Sequence, residues 1–103
     1  FGRRGFAVDS LVSDGCIVSG ALVRRSILFC GARVGEGSKI EDSVVLPNVS
    51  IGRRVTLRRT IVDKGCVLPD GLKVGLDVQH DRARFYVTER GIVLITPQML
   101  LTL

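Results

Sequence analysis

Four stretches of this sequence are variations on one phrase. Ser10-Leu11-Val12 leads to Gly15-Cys16 and Val18, and Ser26-Ile27-Leu28 to Gly31-Ala32 and Val34. Ser43-Val44-Val45 leads to Asn48-Val49 and Ile51, and Thr60-Ile61-Val62 to Gly65-Cys66 and Leu68. The first step between copies is 16 residues and the next two are 17. Within each copy an aliphatic residue recurs about every six positions, at Val34, Ile40, Val45 or Leu46, Ile51, Leu57, Val62, Leu68 and Val74. A helix needs apolar residues every three to four positions and a half-buried strand every second one, so neither fits this spacing. Self-similarity at a fixed short period marks a stacked repeat architecture.

A six-residue period suits a coil of three short strands and three corners, with one aliphatic side chain turned inward per strand. Stacked coils bury a continuous aliphatic column, and each backbone pairs with the coils above and below it at ~4.8 Å. Gly15, Gly31, Asn48 and Gly65 fall at one recurring place, where a corner needs positive φ. Ser10, Ser26, Ser43 and Thr60 form a column of small hydroxyls. The pattern predicts an all-β fold, a parallel β-helix of hexapeptide repeats with about four coils, from Ser10 to about Gly75. With aromatics at 5% and no Trp, its core has to be built from Val, Ile and Leu.

The period breaks after Asp77. VQHDRAR is polar, then Phe85-Tyr86-Val87 and Ile92-Val93-Leu94-Ile95 read as two strands around Thr88-Glu89-Arg90-Gly91. Thr96-Pro97 reads as the cap and first position of a short helix over Gln98 to Leu103. The division expected is a coil domain over residues 1–84 and a strand-pair and helix segment over residues 85–103. That segment either closes the last coil, whose strand edges are otherwise unpaired, or docks on a neighbour.

Stepping by 17 sorts the charged residues into columns. Arg24 stacks on Glu41 and then Arg58, and Arg25 on Asp42 and then Arg59, an acidic rung between two basic ones. Such a ladder gives ~0.2–1 kcal/mol per neighbouring pair, so the structural reading of these arginines outweighs a ligand site. Arg53, Arg54 and Lys64 find no such partners and are the candidates for an anion or subunit contact. His80 is the single histidine and lies outside the coils. Hexapeptide-repeat acyltransferases need a catalytic His and zinc hydratases need several, so the chain offers no metal site and His80 reads as a surface residue. No nucleophile triad, phosphate-cradling glycine loop or paired-carboxylate motif is visible, and no catalytic residue is assigned.

The net charge of +5 is compatible with anionic partners, but basic and aromatic residues are not interleaved as in a nucleic-acid surface. Three cysteines, no C-x-x-C and no secretory signal point to free thiols in a reducing cytoplasm, with Cys16 and Cys66 facing inward. The apolar run GIVLITPQMLLTL is shorter than the ~20 residues a membrane span needs, and no membrane partner is expected. A chain beginning at Phe1 without an initiator Met reads as a fragment of a longer one.

SLVSDGCIVSG, Ser26 to Phe29, LRRTIVDKGCVLPDG and FYVTERGIVLIT carry a resemblance that covers nearly the whole chain. It resembles the C-terminal domain of bacterial glucose-1-phosphate adenylyltransferase (ADP-glucose pyrophosphorylase). That resemblance implies a left-handed parallel β-helix that serves tetramer assembly and helps form an allosteric site where it meets the enzyme's own N-terminal catalytic domain. It also implies an enzyme that makes ADP-glucose and pyrophosphate from ATP and glucose 1-phosphate in glycogen synthesis. The Gly-rich nucleotide loop and the acidic residues that hold Mg²⁺ lie in that catalytic domain, so this chain alone is expected to be inactive and to need no cofactor. Effectors in the family are sugar phosphates, nucleotides or phosphate. Lys64 matches a corner where the family carries a basic residue near effector phosphates. The family's terminal helix also supplies bases in some members, whereas Pro97 to Leu103 has none. The alternatives are a hexapeptide-repeat acyltransferase and the β-helix of another sugar nucleotidyltransferase.

Overall fold

The computed structural model describes residues 6–103, so the expectations that fall on residues 1–5 lie outside the described residues. The chain winds coil by coil, three strands to a coil. The first coil is β1 (Phe6–Val8), β2 (Leu11–Val12) and β3 (Ile17–Val18), and the second is β4 (Leu22–Arg24), β5 (Ile27–Leu28) and β6 (Arg33–Val34). The third is β7 (Lys39–Glu41), β8 (Val44–Val45) and β9 (Ser50–Ile51), and the fourth is β10 (Thr56–Arg58), β11 (Thr60–Val62) and β12 (Val67–Leu68). A fifth coil begins with β13 (Lys73–Val74) and is replaced by α1 (Val78–Arg84), β14 (Tyr86–Val87), β15 (Val93–Ile95) and α2 (Pro97–Leu100).

Strands of equal rank in successive coils pair in parallel, giving three sheets that wall a solenoid of about four turns. The first side runs β1-β4-β7-β10-β13, the second β2-β5-β8-β11-β15-β14 and the third β3-β6-β9-β12. The register follows the repeat, with Leu22 opposite Lys39 and Lys39 opposite Thr56, and Ile27 opposite Val44 and Val44 opposite Ile61. The parallel β-helix expected from the period is the fold.

The interior is fuller than one residue per strand. Each side turns two residues inward, two positions apart, such as Val55 with Leu57, Thr60 with Val62, and Cys66 with Leu68, all at 1% exposure or less. The second residue of each pair belongs to the six-residue aliphatic series; the first is often smaller (Ala21, Ala32, Ser38, Ser43), which lets the coil close on itself. Between Val45 and Leu46, it is Val45 that enters the core.

Two columns keep polar groups inside without leaving them unpaired. The Ser43 hydroxyl donates to the Glu41 carbonyl at 2.7 Å and accepts the Thr60 amide at 3.2 Å. Ser26 repeats this one coil earlier, donating to Arg24 and accepting the Ser43 amide. Ser38 does the same on another corner, bonding the Gly52 carbonyl at 2.8 Å and the Val55 amide at 3.0 Å. The hydroxyl column is thus a ladder in which each corner hands its acceptor to the next. An unsatisfied buried group of this kind would cost ~1–3 kcal/mol.

All three corners use the left-handed backbone region. One column is the expected Gly15, Gly31, Asn48 and Gly65, with φ of 78°, 77°, 60° and 73°. A second is Gly20, Gly37, Arg54 and Gly71, where Arg54 takes φ 54° without being glycine. The third contains no glycine: Asp9, Arg25, Asp42 and Arg59 sit at φ 49°, 46°, 49° and 51°.

The end of the stack is closed differently on each side. β15 extends the second side in parallel register, Thr60 opposite Val93 and Val62 opposite Ile95, and β14 folds back antiparallel on β15. α2 lies against β12 on the third side, with Met99 and Leu100 packed on the core. On the first side, residues 78–84, which the sequence placed within the coil span 1–84, form α1 instead. Asp77 caps it by accepting from the Gln79 and His80 amides at 3.1 and 3.2 Å. Its buried Asp81 accepts from the Gly75 amide at 2.9 Å and pairs with Arg84 at 3.2 Å, while Arg84 donates to the Lys73 carbonyl of β13 at 2.9 Å. Arg84 also lies 5.0 Å over the Phe85 ring. Thr96 and Pro97 begin α2 as expected, although the Thr96 side chain makes no capping bond and α2 ends at Leu100.

Candidate functional site

Lys64 stands at the corner between the second and third sides, and the local sequence fixes it there. β11 ends at Val62, and the Asp63 amide is held by the Ile95 carbonyl at 2.8 Å. The Asp63 carboxylate then accepts the Lys64 amide at 2.8 Å. Gly65 follows at φ 73°, and its amide reaches Pro47 of the coil below at 3.2 Å. Nothing lies within 4 Å of where a Gly65 Cβ would stand, so the backbone angle and not crowding demands glycine. The Lys64 backbone is therefore rigid while its side chain is exposed, and among the described residues no carboxylate pairs with its ammonium. A compact cation on a fixed corner suits a phosphate oxygen as a point charge.

Arg53 and Arg54 lie together at the corner between the third and first sides, both exposed. The Arg53 amide donates to Asp70 of the next coil at 2.8 Å. A side chain on Gly52 would collide with that same carboxylate, so the corner is tight as well as charged. The guanidinium of neither arginine has an ion-pair partner among the described residues. The structure thus joins Arg53 to Arg54 but puts Lys64 on another corner, across the face of the third side. α2 starts from the Lys64 corner one level on, because Ile95 pairs with Val62, and it brings no base there.

The arginine ladder holds with one change. Glu41 is shared by Arg24 at 3.4 Å and Arg58 at 3.8 Å, and Arg25 grips Asp42 at 2.6 and 3.2 Å. The hydrogen bond from Arg25 keeps the Asp42 carboxyl below its ordinary range. Arg59 was expected to join Asp42 from the other side. It donates instead to the Arg90 carbonyl at the tip of the β14–β15 turn, where its guanidinium lies against Gly91. Both oxygens of Asp42 are taken by Arg25, and Arg59 turns the other way to the hairpin backbone.

His80 is exposed on α1, beside a cleft of about 670 Å³ that Lys73, Arg84 and Leu103 also line. Cys66 faces the core as expected, and burial raises its thiol pKa to about 11. Cys16 is half-buried and Cys30 exposed. Among the described residues no group of three His, Cys, Asp or Glu side chains is placed to hold a metal ion. No described helix is long and apolar enough to cross a membrane. The arrangement offers fixed cationic corners and no nucleophile–base pair.

A family model described as "GlmU-like, C-terminal hexapeptide" matches residues 1–95. The chain is 59% identical over 98 residues to the glucose-1-phosphate adenylyltransferase of Nitrosospira multiformis, covering 95% of this chain and 23% of that protein. Proteins of the same name from Methylobacillus flagellatus and Paramagnetospirillum magneticum are 59% and 58% identical over the same lengths. The chain therefore spans about a quarter of the length of these relatives.

Proposed function

The chain belongs to the family of GlmU-like C-terminal hexapeptide domains, and from that premise we propose that it is the regulatory and assembly domain of a glucose-1-phosphate adenylyltransferase. The observation that carries this reading is the extent of the likeness: 95% of the chain aligns with enzymes of that name, coils and closing tail together. The longer protein would join ATP and glucose 1-phosphate into ADP-glucose and pyrophosphate, in the cytoplasm and on the way to glycogen. Its catalytic residues, and the acidic groups that hold Mg²⁺ for the phosphates, would lie in the catalytic domain. The residues described here do not fit such a metal, and no chemical step is assigned to them.

In this reading the β-helix serves a tetramer and presents Lys64 to a phosphate-bearing effector where it meets the catalytic domain. All three cations lack an ion-pair partner among the described residues and stand on hydrogen-bonded corners, and Lys64 is favoured over Arg53 and Arg54 because its corner is the one the family resemblance places near effector phosphates. Because α2 carries no base beside it, the effector contact on this chain would rest on Lys64 alone, with the remaining phosphate contacts supplied from the catalytic domain.

The test is the activation profile of the full-length enzyme, assayed for ADP-glucose with a sugar phosphate titrated in. Lys64→Ala is expected to raise the half-activating concentration about tenfold, the scale of one charge-assisted contact. The rate without activator serves as the internal reference. An unchanged activation curve would remove Lys64 from the effector site, and absence of adenylyltransferase activity in the full-length protein would remove the reading itself.

A further inference from the structure

The third side stops short of the other two. Its sheet has four strands, while the first has five and the second six. The corner that leads from the third side to the first therefore has no coil above it at Pro69 to Lys73. Part of that edge is blunted by sequence. In successive coils the amides of Ser19, Gly35 and Gly52 donate upward to Val34, Ile51 and Leu68, and the next position in that column is Pro69, which has no amide to leave unpaired. Lys73 is different. Its register counterparts Leu22, Lys39 and Thr56 donate their amides to Ser38, Val55 and Leu72 of the coil above, at 2.8 to 2.9 Å. At Lys73 that coil is missing, and its amide, which faces away from β10, finds no acceptor among the described residues. The Lys73 carbonyl on the same edge has a substitute partner, the Arg84 guanidinium at 2.9 Å. Only the donor is left open.

Lys73 lines the cleft of about 670 Å³ between this corner and α1, together with His80 and Arg84 and against apolar Pro69 and Leu103. Lys73 is exposed, and its ammonium has no carboxylate partner among the described residues. The Arg84 guanidinium is held in place by Asp81, the Lys73 carbonyl and the Phe85 ring. One further carboxylate, Asp70, lines the cleft. Its Oδ1 accepts the Arg53 amide of the coil below at 2.8 Å, at the corner where the Arg53 and Arg54 cations lie. Donors and positive charge thus gather around an open amide, with an apolar wall beside them. That is the chemistry that holds an oxyanion.

We propose that this cleft binds a small organic oxyanion, a carboxylate or phosphate headgroup on an apolar body. One oxygen of the headgroup takes the Lys73 amide and ammonium, and another faces His80 and Arg84. An extended peptide does not suit the same edge, because Pro69 removes a donor that an added strand would pair with and α2 already lies against β12. The Lys64 corner borders the third side on its other edge, so this site does not rest on the role proposed for Lys64.

The experiment follows amide hydrogen exchange across residues 72–75 of the full-length protein by mass spectrometry. Inorganic phosphate or acetate is titrated in, with sodium chloride of equal ionic strength as the reference. Occupancy is expected to slow exchange of the Lys73 amide about fivefold or more. Slowing by phosphate alone, by acetate alone or by both assigns the headgroup. Lys73→Ala keeps the amide but removes the ammonium, and should raise the midpoint about tenfold, the scale of one charge-assisted contact. His80→Ala should raise it less, and Lys64→Ala should leave it unchanged. Lys73 and His80 are both exposed, so neither variant disturbs the core. The site is overturned if neither oxyanion slows the exchange, if chloride slows it equally, or if Lys73→Ala keeps the parent's midpoint. A midpoint that moves in Lys64→Ala instead would place the oxyanion at the other corner and overturn this one.

Discussion

Cys66 shows how much a single position reports about the whole cross-section. It enters the core immediately after the Lys64–Gly65 corner, and its sulfur lies 3.7 Å from the Ile95 carbonyl of the closing strand. Burial disfavours the thiolate and raises the pKa from 9.0 to about 11. Between those values the unfolded chain has lost the proton and the folded chain has kept it. Stability therefore falls as pH rises from about 9 to about 11, and is unaffected by this group below that window. In a thiol-reagent titration at pH 8, exposed Cys30 should react first, while Cys66 should wait for unfolding. Rapid modification of all three thiols in the folded protein would contradict the buried position. The sequence foresaw this inward cysteine because it occupies a column position otherwise filled by Ala32 and Val49. It gave no such warning for Asp9, Arg25, Asp42 and Arg59. A left-handed corner is legible when glycine marks it, and here charged side chains take the same backbone angles.

The elements divide by what holds them. Coil strands were visible because their stability comes from inward aliphatic residues at a fixed period, which is a pattern in one dimension. The partners of the arginine ladder were visible for the same reason, except Arg59, whose partner is a backbone carbonyl 31 residues on. α1 was not visible. Its buried residue is the carboxylate Asp81, so no apolar stripe announces it, and its polar ties run to Gly75 and to the Lys73 carbonyl. Replacing Asp81 with Ala leaves the Gly75 amide without its acceptor and Arg84 without its counter-charge. We expect a loss of about 2–4 kcal/mol in urea unfolding, with Asp81→Asn intermediate because it keeps an acceptor. A midpoint unchanged in Asp81→Ala would mean that α1 adds nothing to the closure of the first side. The candidate site was legible only in part. Lys64 could be picked out by the absence of a ladder partner, but its separation from Arg53 and Arg54 depends on which corner each occupies. That needs the coil's phase as well as its period.

At the scale of the molecule, every strand pair joins residues 16 or 17 positions apart until the tail returns, and each coil touches only its neighbours. Stability in such a stack is close to a sum of coil and nearest-neighbour contributions. The two ends of that sum are unequal. The fourth coil has β15, α2 and the α1 contacts laid on it, and Val62, Cys66 and Leu68 are sealed. In the first coil the inward Val12 stands 42% exposed, and inward Cys16 and Val18 are only partly buried.

That asymmetry gives the solenoid a direction of melting. Opening should start at the first coil and travel toward the tail like a zipper pinned at one end, because each released coil exposes the next as a new weak edge. Amide exchange in this chain should then be graded, fastest at Ser13 and Ile17 and slowest at Ser50 and Asp63, whose donors are sealed under the closing segment. Equal protection at both ends would show that the coils open together, and that the pinned end exerts no hold on the rest.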